Sequence, residues 1–161
     1  MTTIIESLEN DHIAIRLFNR CFGTEMDLES FKSFHEFIVE VHAKIEDEIL
    51  IPAILEAYRD QEDVKYLAKR ISADHLLIAK LGESIIEYGE KGNLTLYKKR
   101  LDRYMKILID HNRSEENLLF PLWKNVPDSV RLDSNKKALE IINKYGYGKF
   151  TRILRNLGKN I

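Results

Sequence analysis

The sequence predicts an all-α chain, an up-down-up-down four-helix bundle with one or two extra C-terminal helices, and three observations carry that reading. Only three prolines and seven glycines interrupt 161 residues rich in Leu, Ile, Lys and Glu, a composition of helix formers. Apolar residues recur three and four apart in four long segments, the period of a helix with one buried face. The links between those segments are short, which makes neighbouring helices antiparallel. A chain of this length buries a core without disulfides. The expected organisation is a bundle over residues 1–127 and a basic helical extension over 128–161 packed on the same domain.

The first helix runs from Thr3 to about Cys21, with Ile4, Ile5, Leu8, His12, Ile15 and Phe18 on one stripe, so His12 faces the core. Phe22 to Asp27 reads as a turn. A second helix spans about Leu28 to Tyr58 through Phe31, Phe34, Ile38, Val41, Ile45 and Ile49, and Pro52 is expected to bend or tighten it. The third begins with Glu62 and Asp63, acids suited to the positive end of the helix dipole. It carries Leu67, Ile71, His75, Ile78 and Ile85, and Gly89 to Gly92 ends it. The fourth runs from about Asn93 to Trp123 with Leu101, Tyr104, Leu108, His111, Glu115 and Leu119 down one side. Val126-Pro127-Asp128 closes the bundle. Residues 128–161 hold eight Lys or Arg against three acids. They read as a basic outer face on two packing stretches around Gly146-Tyr147-Gly148, with a lid or dimer contact as the sharper alternative.

Composition excludes several classes. The net charge of -1 gives no global attraction to nucleic acid or to an anionic membrane. Charges interrupt every apolar stretch before it reaches bilayer length, and no basic run leads a long apolar one at the start. The single cysteine, Cys21, forms no internal disulfide, in keeping with a reducing compartment. A cytoplasmic protein is expected. No nucleophile and base pair or phosphate-binding loop supports hydrolytic or transfer chemistry.

The chemistry lies in a repeat. His42-x-x-x-Glu46-x5-Pro52 recurs as His111-x-x-x-Glu115-x5-Pro121, and an Asp-His pair precedes each copy, Asp11-His12 and Asp74-His75. Residues four apart on a helix share a face, so each copy offers one imidazole and one carboxylate to the same point. Each of the four helices contributes one inward histidine. Burying four imidazoles and two carboxylates without a cation among them is costly. Imidazole and carboxylate without thiolate argue against structural zinc or an iron-sulfur cluster and suit a di-iron centre, with manganese or zinc as substitutes. A ferritin-like arrangement needs two Glu-x-x-His elements, and only Glu9-x-x-His12 has that spacing.

On His12, His42/Glu46, His75 and His111/Glu115, in that order on four helices, residues 5–125 resemble the hemerythrin-like family, the HHE cation-binding domain. The resemblance implies two iron ions in the bundle core, held by His12, His42, Glu46, His75, His111 and Glu115. Glu46 and Glu115 would bridge them, and an oxo or hydroxo group would complete the bridge. Oxygen-carrying hemerythrins place two histidines one turn apart on the third helix. Here the neighbours of His75 at that spacing are Ile71 and Ala79, and the four-His, two-Glu set is more similar to the iron-sensing and iron-centre-repair branches. The carriers also have an acid five residues after the last histidine, where this chain offers Glu115 at four and Glu116 at five.

The resulting expectation is a non-haem di-iron protein that binds or reacts with a small diatomic ligand, oxygen or nitric oxide, or that senses iron or oxygen. Iron donation to damaged iron centres is the alternative among metalloproteins. A helical interaction module with a structural metal is the alternative outside them. A homo-oligomer or a redox partner remains open. Around the six residues, His35 is expected at a pocket edge or surface, and Tyr104 in core packing with its hydroxyl free to bond behind the site or to a bound gas. Glu48 reads as a solvated carboxylate, with Glu116 less clear-cut, and Asp11 and Asp74 as acids on the helix surface.

Overall fold

The computed structural model describes residues 3–146, 148 and 149, and they form four long helices in an up-down bundle with a fifth across them. The first helix, Ile4–Phe22, is held at its start by a reciprocal cap. Thr3 Oγ1 accepts the Glu6 N–H at 3.2 Å, and Glu6 Oε2 accepts the Thr3 N–H at 2.7 Å, which satisfies two amides that have no partner within the helix. A tight turn, Gly23–Glu25, follows, entered through the positive φ of 48° at Gly23. The second helix begins at Leu28 behind Asp27, whose Oδ1 takes the Ser30 N–H at 2.7 Å, and it ends at Ala57. The third, Glu62–Glu90, opens with Glu62 and Asp63 as its sequence suggested. Asn93 caps the fourth, Leu94–Ser114, through the Leu96 amide.

The second and fourth helices are not uniformly α. The second widens twice into π turns, at Ile38–His42 and at Glu46–Leu50. The fourth does so at Glu115–Leu119. Each wide turn is closed by an amide reaching back five residues: Ala43 to the Ile38 carbonyl, Ile51 to Glu46 and Phe120 to Glu115. In both halves of the repeat the proline comes immediately after that amide. Proline has no N–H, and its ring collides with the carbonyl four residues back in a regular helix. The wide turn is where the chain absorbs that conflict. The expectation that Pro52 tightens the helix is therefore corrected: the helix widens ahead of it. Beyond Leu119 the fourth helix does tighten, into the 3-10 segment Phe120–Asn125 that contains Pro121.

Inward side chains form one core, from Ile4 and Leu8 through Phe31, Ile71, Leu101 and Leu108 to Leu119 and Trp123. The fifth helix, Asp128–Tyr145, lies on the first and second. Asn135 Oδ1 accepts the Ile4 N–H at 2.9 Å, and Tyr145 meets Phe37 edge-on at 6.4 Å between ring centroids. Its basic residues pair along its own outer face, Lys137 with Asp133 at 2.7 Å and Arg131 with Asp128. The expected second C-terminal stretch falls on residues 150–161, outside the described residues. No helix among those described is long and apolar enough to cross a membrane.

Candidate metal centre

The six residues singled out by the repeat meet in the middle of the bundle, all buried. They form two groups that share their carboxylates: His12, His42, Glu46 and Glu115 in one, and Glu46, His75, His111 and Glu115 in the other. Within each group one donor atom per residue lies within 4.8 Å of every other. Four Nε2 atoms point inward. His111 Nε2 stands 2.9 Å from Glu115 Oε1, His75 Nε2 3.2 Å from Glu46 Oε2, His12 Nε2 3.3 Å from Glu115 Oε2, and His42 Nε2 3.6 Å from Glu46 Oε1.

Behind the four rings is an arrangement that reading one helix at a time did not reveal. Every inward histidine has an acid from a different helix on its Nδ1. Asp11 meets His42 at 3.1 Å and Asp74 meets His111 at 3.3 Å. Asp47 meets His75 at 2.9 Å and Glu116 meets His12 at 2.9 Å. The pattern is reciprocal. The acid preceding His12 or His75 serves the histidine of the repeat motif, and the acid following Glu46 or Glu115 serves the histidine of the Asp-His pair. Asp11 and Asp74 are acids on the helix surface and partly exposed, but each is bound to a histidine of the next helix rather than free. Glu116, also held by Arg16 at 2.7 Å, is turned away from the carboxylates rather than added to them. Glu48 is exposed, as expected.

These contacts decide the tautomer. A carboxylate on Nδ1 accepts a hydrogen bond, so the ring proton sits there and Nε2 presents a lone pair inward. His12 Nε2 and His42 Nε2 then face each other at 3.1 Å with no proton between them in the neutral form. Glu46 Oε1 and Oε2, Glu115 Oε2 and His111 Nε2 are buried with no aligned hydrogen-bond partner. Four lone-pair nitrogens and two carboxylates around one small space form a donor set suited to cations, whether protons or metal ions. Without metal the balance falls on protons. Burial works against the charged His42 and His75. Glu46 and Asp11 nevertheless raise His42 to about 9, and Asp47, Glu115 and Glu46 raise His75 to about 12. Burial likewise opposes the Glu115 charge, yet His111, His12 and His75 hold that carboxyl well below its ordinary range. The donors are nitrogen and oxygen with no sulfur, which fits iron, manganese or zinc.

A cavity of about 250 Å³ reaches this centre from one side, between the second and third helices. His42, His75 and His111 form its inner wall, Ile38, Ile78, Ala79 and Leu108 its apolar sides. His12 lies across the centre from it, stacked on Phe120 with ring centroids 5.4 Å apart. Ala79, one turn beyond His75, lines this cavity, whereas Ile71, one turn before it, is fully buried in the core.

Two turns from the centre, the expectations for His35 and Tyr104 divide. Tyr104 is core, fully buried as expected. His35 is not at a pocket edge or surface: it is buried, and its Nδ1 lies 2.9 Å from the Tyr104 hydroxyl. The signal available in the sequence was Gly82 in the third helix, where a Cβ would stand 2.0 Å from His35 Cε1.

Two His/Glu clusters sharing carboxylates in the core of an up-down bundle have the geometry of a hemerythrin-type di-iron site. Neither the curated proteins nor the solved structures compared yield a match to the chain. The family model described as the hemerythrin HHE cation binding domain matches residues 3–123.

Proposed function

Since the chain belongs to the hemerythrin HHE cation-binding domain family, we propose that it holds two iron ions and uses them to bind or react with a small diatomic ligand, oxygen or nitric oxide. His12 and His42 would hold one ion and His75 and His111 the other. Glu46 and Glu115 would be shared, with an oxo or hydroxo group completing the bridge. When bound, the irons supply one-electron redox chemistry and exchangeable positions for a diatomic ligand.

The observation that carries this reading is the orphaned set of Glu46 Oε1, Glu46 Oε2 and Glu115 Oε2, facing inward Nε2 lone pairs beside a cavity of about 250 Å³. A site serving structure alone needs no such opening, because every coordination position can be closed by protein. Here the protein's own residues divide the work. Asp11, Asp47, Asp74 and Glu116 fix each imidazole with its lone pair inward and increase its basicity. Ile38, Ile78 and Leu108 make much of the cavity wall apolar, with Lys44, Asp47 and Glu48 also lining it, a space that suits a small uncharged ligand. Phe120 packs on the His12 ring and shields that face of it. Residues 128–145 would serve as an extension packed on the same domain.

The test is metal analysis of protein purified from iron-replete cells, followed by visible spectra in the oxidised and reduced forms with and without nitric oxide. Two irons per chain, with a spectrum that changes on reduction and again with nitric oxide, are expected. A colourless zinc protein indifferent to nitric oxide would reject the reading.

A further inference from the structure

Two turns from the centre the bundle carries a second buried polar layer that the diatomic-ligand chemistry does not use. His35, Gly82 and Tyr104 each lie seven residues from an inward histidine, namely His42, His75 and His111. Seven residues of helix rise about 10 Å, so the three helices bring these positions to a common level. Tyr104 is fully buried, and its hydroxyl meets His35 Nδ1 at 2.9 Å. The imidazole lies parallel to Phe31 at 5.7 Å, while both Phe31 and His35 meet the Tyr104 ring edge-on, at 5.2 and 5.6 Å. The backbone of Ala79 hydrogen-bonds the same imidazole.

The layer is built for that ring. A Cβ at position 82 would stand 2.0 to 2.3 Å from three atoms of the imidazole, so the third helix omits a side chain where His35 lies. Glycine inside a helix costs about 1 kcal/mol relative to alanine. A Phe and a Leu would fill the same space without burying two polar groups. Ile38 and Leu108, which line the cavity, each lie midway along their helices between this layer and the metal layer, and the charged residues of those spans, Glu36, Glu40, Lys106 and Asp110, are exposed on the outer faces.

We propose that Tyr104 is a one-electron donor to the metal site, with His35 taking its phenolic proton; this rests on the di-iron reading. A buried phenol cannot lose an electron alone, since a radical cation in an apolar core is too costly. A neutral imidazole 2.9 Å away removes that obstacle. Burial lowers the pKa of His35 against the opposing effects of Ala79 and Glu83, which leaves Nδ1 free to accept. The oxidant is hydrogen peroxide. Its reduction to two waters takes two electrons and two protons. A site with one ferrous ion left gives one electron and becomes fully ferric, Tyr104 gives the second, and solvent supplies both protons. The O–H bond of Tyr104 breaks, its proton forms a bond to His35 Nδ1, and a neutral phenoxyl radical remains beside an imidazolium. Tyr104 thereby completes a two-electron reduction that the remaining ferrous ion alone leaves half done.

The test uses the full chain loaded with iron, the iron counted, oxidised to one ferrous ion per chain, mixed with hydrogen peroxide and frozen for electron paramagnetic resonance. An organic radical is expected whose hyperfine pattern narrows when the protein carries ring-deuterated tyrosine. Tyr104→Phe should lose that signal while keeping its iron count and melting temperature. His35→Gln leaves the phenol in place. In deuterated water it should lose the coupling to an exchangeable deuteron that the unmodified protein shows. If two irons are bound, the ferrous ion is consumed and no tyrosine-derived radical forms, the donor role is overturned while the metal reading stands. A radical that survives Tyr104→Phe overturns the donor role in the same way. A chain that takes up no iron overturns both.

Discussion

Asp47 Oδ2 takes the Nδ1 hydrogen of His75 at 2.9 Å although the two residues belong to different helices. Asp47 adjoins Glu46, which turns the other way to meet the same imidazole at Nε2, 3.2 Å distant. Two consecutive acids of the second helix thus hold both nitrogens of one ring on the third. Such clamping fixes where the lone pair points, and removing an acid behind a metal-bound histidine typically lowers metal affinity 10–100-fold. Asp47→Ala and Asp74→Ala should each weaken iron binding by about that factor, with helical content retained. Competition against a chelator of known affinity reads the change. An unaltered affinity in both variants would reduce these acids to bystanders.

Glu46→Ala and Glu115→Ala should each lower iron stoichiometry more than Glu48→Ala. Glu46 and Glu115 belong to both clusters, so either loss damages two sites at once. Glu48 is exposed beside Lys44, and its replacement removes nothing that faces the centre. Iron counted per chain distinguishes the three, and equal losses would contradict the shared placement of the two carboxylates.

Metal removal should destabilise the fold. Native protein without metal retains buried carboxylate oxygens with no aligned hydrogen-bond partner. A metal present at a thousandfold over its dissociation constant adds about 4 kcal/mol to the native state. At roughly 2–4 °C per kcal/mol for a chain of this size, chelation should lower the melting temperature by about 10 °C. Coincident melts with and without chelator would indicate a core indifferent to the metal.

The four helices and the six inward residues were legible because both are local patterns: apolar spacing along one helix, and His and Glu four apart. The acids behind the histidines were not. Asp11 is about 100° around its helix from His12, so on that helix alone it points away from the site. Only the crossing angle of the second helix brings His42 to it. The π turns escaped for a related reason, since a widened turn leaves the order of residues unchanged and shifts only the helical phase of the residues beyond it. Pro52 and Pro121 mark two of the three, and the turn at Ile38–His42 has no proline after it. His35 was misplaced because its partners lie on the third and fourth helices. Gly82, a glycine mid-helix at a position that favours any other small residue, was the one sign that a ring from elsewhere lies there.

The third helix decides what the site does with oxygen. His75 is its only inward histidine, so under the proposed di-iron reading the protein would offer two imidazoles to each ion, and both ions would keep exchangeable positions. Oxygen entering from the cavity would then meet two reactive irons rather than one. The reduced protein should consume oxygen without returning it under vacuum, as followed by an oxygen electrode and the visible spectrum. The structure also distinguishes the two positions at which an added histidine would test this. Ile71 is fully buried, and a ring there displaces core packing. Ala79 borders about 250 Å³ of open space on the His75 side, enough for an imidazole to reach inward. Ala79→His should therefore slow oxidation by filling one of those positions, while Ile71→His should mainly cost stability, about 1–3 kcal/mol for a misfit in a packed core. Oxygen recovered intact from the unmodified protein would restore a carrier or store, and faster oxidation in Ala79→His would show that the cavity is not the way in.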